Sequence, residues 1–410
     1  MSRSCMHIDP LPSGVRSGRY MVRAKWSGHP HWRKRNGIVF FDLPAALATA
    51  ALGVDQLDAR HDLWLRAAIF PAMEAGRDLH IHGAVSRTLL ANLEIYQCMI
   101  ADWWPAKYHV VELRADQEID GPAPSAVREA VLTFSGGLDS IYSLHGHQRQ
   151  LRGRNTRQIA WCVLVHGYDI PLTDNAFDGA FVRARQIVES LGSRLVPVRT
   201  NLRRHLPAWP ESYATALAAA LSLFAGRYAE GIVASSVNYR NDHLHEEGYG
   251  SSPSADWLLS GHDFRIVHDL ANASRAEKTR VLCDWQEARR NVRVCWSGAD
   301  LSTNCGVCSK CVWQMLCLLA NGIEDFGAFA EPLTTELVAT MSIPTSVHRR
   351  DLEACLAYAT QNGHGNRPEL VALRQVLAAP HDSATHARGS HSPRPTRPKF
   401  LSRLLRTSSS

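Results

Sequence analysis

A regular alternation of short apolar runs and amphipathic segments across residues 130–295 constrains the fold of this chain most strongly. The runs are rich in β-branched residues and are bounded by turn residues, which is typical of buried strands. Strands that alternate with helices predict right-handed βαβ units, and therefore an α/β fold with a doubly wound parallel sheet. The predicted strands are AVLTF at 130–134, IAWCVLV at 159–165, RLVPV at 194–198, GIVAS at 231–235 and NVRVC at 291–295. The predicted helices lie at 140–150, 175–191, 212–228 and 275–285.

Composition divides the 410 residues into five parts. We expect an irregular segment at 1–36, a small α+β module at 37–125 that ends in a linker at 114–125, the α/β domain at 126–325, a mainly helical part at 326–380 and a basic tail at 381–410. The tail has six basic residues and one acidic residue, so it carries five of the six net positive charges. A segment rich in Ser, Pro and Arg cannot bury enough apolar surface to fold, so the tail is predicted to be disordered.

The charge and hydropathy of the remaining chain exclude some classes of protein. Its near-neutral balance does not favour a nucleic-acid-binding domain, although the tail offers a basic segment to an anionic partner. No stretch approaches the roughly 18 consecutive apolar residues that a membrane span needs. The N-terminus has prolines and an aspartate where a secretory signal has an apolar core, so we expect a cytoplasmic protein. In a reducing cytosol, the ten cysteines are more often metal ligands or buried thiols than disulfides.

A glycine-rich loop, Ser135-Gly136-Gly137-Leu138-Asp139-Ser140, lies between a predicted strand and a predicted helix. Two glycines allow the backbone N–H groups to approach a phosphate, and the N-terminus of the following helix directs its positive dipole end at the same point. The hydroxyl groups of Ser135 and Ser140 add donors, and Asp139 can cap the helix and help hold Mg²⁺. The loop therefore predicts a nucleotide-phosphate site; the alternative is a turn that only caps the helix.

Four cysteines, Cys295, Cys305, Cys308 and Cys311, have the spacing C-x9-C-G-x-C-x2-C. Two residues between cysteines let thiolates converge on one ion, and four thiolates complete the tetrahedral shell of a structural Zn²⁺. Gly306 permits the tight turn between ligands, and Lys310 can offset part of the negative charge. An iron–sulfur cluster, a redox pair and four buried free thiols are the alternatives.

The two motifs together resemble a known family. The loop matches the SGGxDS signature of the PP-loop ATP pyrophosphatases, and the cysteine array that follows is similar to that of the 7-cyano-7-deazaguanine synthases. The resemblance covers roughly residues 130–320. It implies an enzyme that adenylates a carboxylate or amide, such as that of a deazapurine, releases pyrophosphate and captures ammonia, with ATP and Mg²⁺ at the loop and Zn²⁺ on the cysteines. Lys278 would match a basic residue before the zinc site and could neutralise phosphate charge.

Two segments depart from that family. His166-Gly167-Tyr168-Asp169 stands where the family has Tyr-Gly-Gln, and GYGSSPSADWLL at 248–259 replaces Tyr-Pro-Asp-Cys-Arg. Strand ends line the ligand crevice of such sheets, so His166 is expected near the nucleotide base. Ser251, Ser252 and Asp256 are candidate substrate contacts, or else part of a surface loop. A second metal could be held by Asp242, His243, His245, Glu246 and Glu247, although such residues are more often solvated.

The leading hypothesis is therefore an AMP- and pyrophosphate-forming ligase that joins ammonia or an amine to a small carboxylate or amide. A tRNA-modifying PP-loop enzyme of the sulfurtransferase or lysidine type is the second hypothesis, because the tail is basic. A non-catalytic nucleotide-binding scaffold is the third. Enzymes of the resembled family are often homodimers, so a homodimer is what the resemblance implies for the assembly.

Overall fold

The computed structural model describes residues 4–30, 37–54, 57–120, 129–242, 250–296, 298 and 300–379. It contains one ten-stranded sheet with the order β10-β9-β6-β7-β8-β3-β2-β1-β4-β5. The strands are β1 (Cys5–Arg16), β2 (Arg19–Ser27), β3 (Ile38–Pro44), β4 (Asp78–Ser86), β5 (Leu113–Ile119), β6 (Glu129–Thr133), β7 (Gln158–His166), β8 (Leu195–Thr200), β9 (Glu230–Val233) and β10 (Arg265–His268).

The helices follow the strands in alternation through the middle of the chain. They are α1 (Ala45–Ala51), α2 (Asp62–Ala75), α3 (Arg87–Trp103), α4 (Leu138–Gln148), α5 (Ala176–Ser190), α6 (Trp209–Leu221), α7 (Tyr239–Asp242), α8 (Arg275–Thr279), α9 (Gln286–Asn291), α10 (Ser309–Ala320), α11 (Thr335–Ala339), α12 (Ser346–Gln361) and α13 (Pro368–Ala378). The predicted α/β fold with a largely parallel sheet is confirmed.

The parallel half of the sheet, β6 to β10, is buried on both faces. Along β6, Ala130 and Leu132 belong to one apolar core, whereas Val131 belongs to the other. The core that contains Leu132 also includes apolar residues of α4, α5 and α10. Because both faces are covered, ligands can reach this half only at the ends of its strands.

The N-terminal half of the sheet, β1 to β5, differs from its expected form. Residues 1–36 were expected to be irregular, but β1 and β2 pair antiparallel there, and their inward residues Met6, Ile8 and Ala24 are fully buried. The prediction failed because prolines and glycines interrupt the alternation in β1. The expected linker at 114–125 is likewise wrong at its start, since β5 extends to Ile119 and pairs with β4.

The predicted strand at 291–295 does not form, and the short β10 occupies the sheet edge instead. The Asn304 side chain takes the place of a strand partner: its Oδ1 accepts from the N–H of Val294 at 2.9 Å and its Nδ2 donates to the carbonyl of Val292 at 2.8 Å. The N–H of Arg293 donates to the carbonyl of Gly136 at 2.8 Å. The backbone polar groups of residues 292–294 thus find their hydrogen-bond partners in the Asn304 side chain and the glycine-rich loop. Hydrophobic periodicity does not reveal such partners.

The predicted helical part at 326–380 contains α11, α12 and α13, in agreement with the sequence. Within the part of the chain that the structure describes, no helix is long and apolar enough to cross a membrane. The basic tail at 381–410 lies outside the described residues.

Candidate functional site

The glycine-rich loop connects the carboxyl end of β6 to the start of α4. Gly136 has a φ of +76°, a left-handed conformation that residues with a Cβ rarely adopt. The N–H of Gly137 donates to Ser135 Oγ at 3.2 Å, and Ser140 Oγ donates to the Gly137 carbonyl at 2.9 Å. These bonds stabilise the turn, which leads directly into the N-terminus of α4, so the N–H groups of the loop and of the first helical turn lie close together.

Lys278 and Asp139 form an ion pair beside this loop. Lys278 Nζ lies 2.8 Å from Asp139 Oδ1 and 2.6 Å from the carbonyl of Ser235, which follows β9. The lysine side chain is 2% exposed, whereas that of Asp139 is 27% exposed. A buried ammonium is therefore positioned between two strand ends, with a more accessible carboxylate in front of it.

A capping box fixes the helix that carries Lys278. Glu277 N–H donates to Ser274 Oγ at 3.4 Å, and Ser274 N–H donates to Glu277 Oε2 at 2.6 Å. Such reciprocal bonds satisfy two donors that a helix start leaves unpaired. The cap therefore positions Lys278 one residue further along the short α8.

A cavity of about 210 Å³ opens next to the loop. Its walls come from the ends of β6, β7 and β9, as expected for the crevice of a parallel sheet. Asp139 and Ser135 lie on one side. Its aromatic lining residues are Phe134, Tyr168, Phe177, Trp209, Tyr213 and Trp296.

Arg293 is a buried charged residue beside the cavity whose guanidinium lacks hydrogen bonds to the described residues. Its side chain is buried, and none of its guanidinium nitrogens makes a hydrogen bond to a described residue. The guanidinium lies 3.5 Å from the ring centroid of Trp296, which lines the cavity. Burial lowers the pKa of Arg293 to about 10, so it remains protonated at neutral pH. A buried cation without hydrogen-bond acceptors is costly unless an anion binds to it.

His166 lies close to the cavity but does not line it. Its Nε2 contacts the carbonyl of Pro171 at 2.9 Å, and its ring stacks on Phe177 with centroids 4.2 Å apart. Partial burial lowers the pKa of His166, so the imidazole is neutral at pH 7. The structure gives His166 the role of holding the 166–171 turn, while Tyr168 and Asp169 of the same turn face the cavity.

The four predicted metal ligands converge. The sulfur atoms of Cys295, Cys305, Cys308 and Cys311 all lie within 4.8 Å of one another. Backbone N–H groups of Cys305 and Cys308 donate to the sulfurs of Cys295 and Cys305 at 3.3 and 3.4 Å, as is suited to thiolate acceptors. Hydrogen bonding with Cys295 raises the pKa of Cys308 to about 11 and also raises that of Cys311. The cluster could hold a metal such as Zn²⁺.

Gly306 permits this cluster to close. It has a φ of +79°, and a Cβ at this position would lie 2.5 Å from the backbone nitrogen of Glu331. Asn304, just before the cluster, holds the 292–295 segment. Hydrogen bonds therefore connect the cysteine loop to the segment that carries Arg293, and that segment to the glycine-rich loop.

The other predicted contacts lie elsewhere. Ser251, Ser252 and Asp256 are buried: Ser251 Oγ donates to Asp256 Oδ2 at 2.6 Å, and the N–H of Ser252 donates to Asp256 Oδ1 at 3.1 Å. They hold their own loop and do not line the cavity. Of the proposed second metal cluster, His243, His245, Glu246 and Glu247 lie outside the described residues, and Asp242 ends α7.

Sequence reasoning missed several cavity residues, namely Trp209, Tyr213, Trp296 and the adjacent Arg293. The position of Trp296 and Arg293 next to Cys295 was the available signal. Trp209 and Tyr213 follow β8 through a turn and a helix start, so only the folded chain brings them to the loop.

No known family matches the chain when it is compared with family models, and neither the curated proteins nor the solved structures give a significant match.

Proposed function

We propose that this chain is a PP-loop ATP pyrophosphatase that adenylates a small carboxylate or amide, releases pyrophosphate, and transfers ammonia or an amine to the activated carbon. The observation that carries the proposal is a glycine-rich loop with a cation on each of two neighbouring segments. Asp139 of the loop pairs with the buried Lys278, and Gly136 accepts from the backbone of Arg293, whose buried guanidinium has no hydrogen-bond acceptor among the described residues. Buried cations on segments that contact this loop, together with the N-terminus of the helix that follows it, suit a polyphosphate.

The residues present fit ATP and Mg²⁺. The backbone of Gly136 and Gly137 has the close approach that phosphate binding needs, and a Cβ at Gly137 would lie 3.0 Å from Ser135 Oγ. Asp139 offers an accessible carboxylate oxygen to Mg²⁺. When bound, the ion would neutralise phosphate charge.

The protein side chains would stabilise the charge that develops when pyrophosphate leaves. Lys278 is held by Asp139 and Ser235, so its ammonium needs little reorganisation. Arg293 would exchange its unpaired state for charge-assisted hydrogen bonds to phosphate oxygens. The aromatic cavity next to the loop offers ring faces to planar groups, which suits adenine or a heteroaromatic acid such as a deazapurine carboxylate.

Zn²⁺ on the four cysteines would have a structural role, because four thiolates leave no open coordination position. Its contribution would be to fix the 292–295 segment, and with it the Arg293 side chain, against the phosphate loop.

The direct test is product analysis with α-labelled ATP, ammonia and 7-carboxy-7-deazaguanine, using the full chain. We expect AMP and pyrophosphate, with the nitrile as product, and loss of AMP formation by about 100- to 1,000-fold in Asp139→Asn. The exposed Asp284→Asn serves as the matched control and should keep full activity.

Other outcomes separate the substrate from the mechanism. AMP that appears only when small molecules from a cell extract are added would support adenylation and direct the search to a different acid. ADP as the product, or AMP formation that Asp139→Asn leaves unchanged, would contradict the proposal.

A further inference from the structure

A second cluster of side chains that could ligate a metal lies in the N-terminal half of the sheet, away from the glycine-rich loop. His7 is on β1, and His80 and His82 are on β4. One ring nitrogen from each of the three lies within 4.8 Å of the other two. None of these residues takes part in the function proposed above.

Strand register places the three rings on one face. β1 and β4 pair in parallel with His7 opposite His80, and His82 follows two residues later on the same side. Ile8 and Ile81, which follow His7 and His80, point to the opposite face of the sheet and are fully buried in the core. The histidines are thus held by a packed sheet, which gives a ligand set the rigidity that a surface loop lacks.

The distance between one nitrogen of His7 and one nitrogen of His82 is close to that between two ligands of the same metal ion. His7 Nδ1 lies 3.1 Å from His82 Nε2, and the His80 and His82 rings stack with centroids 4.4 Å apart. Two nitrogens on a tetrahedral Zn²⁺ at about 2.0–2.1 Å lie roughly 3.3 Å apart. A simple N–H···N hydrogen bond between His7 and His82 is the competing account.

Asp116 on β5 orients the histidines from the outer side. Its Oδ1 lies 2.7 Å from His80 Nε2 and 3.4 Å from His82 Nδ1. An ionised carboxylate only accepts, so the 2.7 Å contact selects the His80 tautomer that carries hydrogen on Nε2 and leaves the lone pair on Nδ1. His82 Nε2 lies 3.1 Å from His7 Nδ1, and a carboxylate–histidine arrangement of this kind is typical of metal ligands.

A β-bulge produces this alignment. The β4–β5 register shifts between Ile81 and Ala84, so that His82 and Gly83 together lie opposite Asp116. Gly83 has a φ of +129°, and a Cβ there would lie 2.2 Å from the ring of His61. Bulges re-aim side chains and are common beside functional sites.

The surrounding charges are compatible with a cation. Arg114, opposite His80 on β5, is engaged by Glu112 at 2.8 Å. Asp9 Oδ1 lies 3.8 Å from His82 Nε2 and adds a nearby negative charge. The side chains of His80 and His82 are 24% and 37% exposed, so water can reach the cluster.

We propose that His7, His80 and His82 form a solvent-facing site for a divalent transition ion of the Zn²⁺ class, with Asp116 as the positioning carboxylate and a fourth position for water. Three imidazoles suit Zn²⁺, and an open fourth position distinguishes this site from the closed four-cysteine cluster.

The test is metal stoichiometry on the full chain after incubation with excess Zn²⁺ and gel filtration. Relative to wild type, the double variant His80→Gln/His82→Gln should lose one ion per chain. His109→Gln, which changes an exposed histidine in the same half, should lose none. Thermal unfolding checks that the double variant remains folded. An unchanged ion count in a folded double variant would overturn the proposal, whatever the occupancy of the cysteine cluster.

Asp116→Asn provides a second readout that does not depend on removing a ligand. If Asp116 positions the histidines, the affinity of the histidine cluster for Zn²⁺ should fall about 10- to 100-fold in this variant. Competition with a fluorescent chelator measures that affinity. The same affinity in wild type and Asp116→Asn would show that the carboxylate has no such role.

Discussion

The two halves of the sheet place their chemistry-bearing side chains in different positions. In the half formed by β6 to β10, the candidate residues lie in loops at strand ends, because both faces are covered. In the half formed by β1 to β5, His7, His80 and His82 lie within strands, on a face that remains partly exposed. A strand-end site follows from local sequence, whereas a site on a sheet face depends on the register between distant strands.

The two candidate metal clusters express the same difference. Cys295 and Cys311 belong to one short segment, closed by its own turns, and both are fully buried. His7 and His80 come from strands far apart in sequence and retain contact with water. The cysteine cluster should therefore stabilise its half of the fold, and the histidine cluster should depend on a fold that already exists.

Substitution at the two clusters should produce the largest contrast. We expect Cys311→Ser to lower the free energy of unfolding by several kcal/mol, a fraction of the roughly 10–16 kcal/mol that Zn²⁺ supplies to zinc-finger peptides. His80→Gln should change it by less than about 0.5 kcal/mol in a chelator-containing buffer, as is usual for partly exposed positions. Urea unfolding of the two variants measures both values. Equal losses would show that the clusters do not differ in structural role.

The next largest contrast concerns how stability depends on pH at one buried carboxyl group in each half. Burial acts to raise the pKa of Asp269, but His147 and Arg152, at 3.4 and 3.2 Å, lower it more, so it lies well below its usual value. Its contribution to stability is thus present above about pH 3.9 and is lost as the pH falls below that value. We expect Asp269→Asn to cost about 3–5 kcal/mol at pH 7, since it leaves a buried cation unpaired.

Asp62 in the N-terminal half gives the opposite slope. Burial raises the pKa of Asp62 in spite of the nearby Arg66. As the pH rises above about 4, the unfolded chain therefore releases this proton before the folded chain does, and the free energy of unfolding falls. Urea unfolding at pH 3 and pH 7 should show the gap between wild type and Asp269→Asn widening with pH. For Asp62→Asn, the free energy of unfolding of wild type relative to the variant should fall between pH 3 and pH 7. A change of the same sign for both variants would contradict the opposite pKa shifts of the two carboxyls.

Strands β6 to β9 of the parallel half could be predicted to within two residues, because continuous apolar runs such as that of β7 need no knowledge of their neighbours, whereas the four-residue edge strand β10 was not predicted. The run at 291–295 failed since the side chain of Asn304 replaces a strand partner. In the other half, Pro10, Pro12 and Gly14 hide β1, whose partners lie on both sides of it.

The candidate site divides in the same way. The glycine-rich loop and the cysteines are local motifs. As predicted, the loop lies at a strand end and the four cysteines come together in one cluster. The fold was needed to bring α8 beside α4, and with it Lys278 close to Asp139. That Arg293 has no hydrogen-bond acceptor among the described residues could only be seen once its surroundings were known. Spacing thus predicts contacts within a loop, but a buried unpaired charge is a property of packing.

Arg293 should separate ligand binding from stability in the strand-end site. We expect Arg293→Met to weaken ATP binding by about 10- to 150-fold, because hydrogen bonds to charged groups contribute about 1.5–3 kcal/mol. The free energy of unfolding should stay the same or rise, since the variant removes a buried cation that no described residue bonds. Calorimetric titration with ATP and urea unfolding measure the two effects. The exposed Arg290→Met is the matched control. A large loss of stability with unchanged ATP affinity would make Arg293 structural.

The smallest contrast concerns two serine helix caps, one in each half. Ser274 Oγ accepts from Glu277 N–H at 3.4 Å at the start of α8, and Ser86 Oγ accepts from Leu89 N–H at 3.2 Å at the start of α3. Replacing either serine by alanine should cost about 1–2 kcal/mol of stability.

Only the α8 cap supports a helix that carries a residue of the proposed site, so Ser274→Ala should also reduce AMP formation by a few fold through displacement of Lys278 from Asp139. Ser86→Ala should leave the rate unchanged under conditions where both variants are folded. Ser86 Oγ also donates to Asp120 Oδ1 at 3.2 Å and accepts from His262 N–H at 3.1 Å, so Ser86→Ala removes more bonds than Ser274→Ala. A lower rate in Ser274→Ala alone would therefore report the position of α8 and not a loss of stability. Equal rates would mean that the ion pair holds Lys278 in place without the cap.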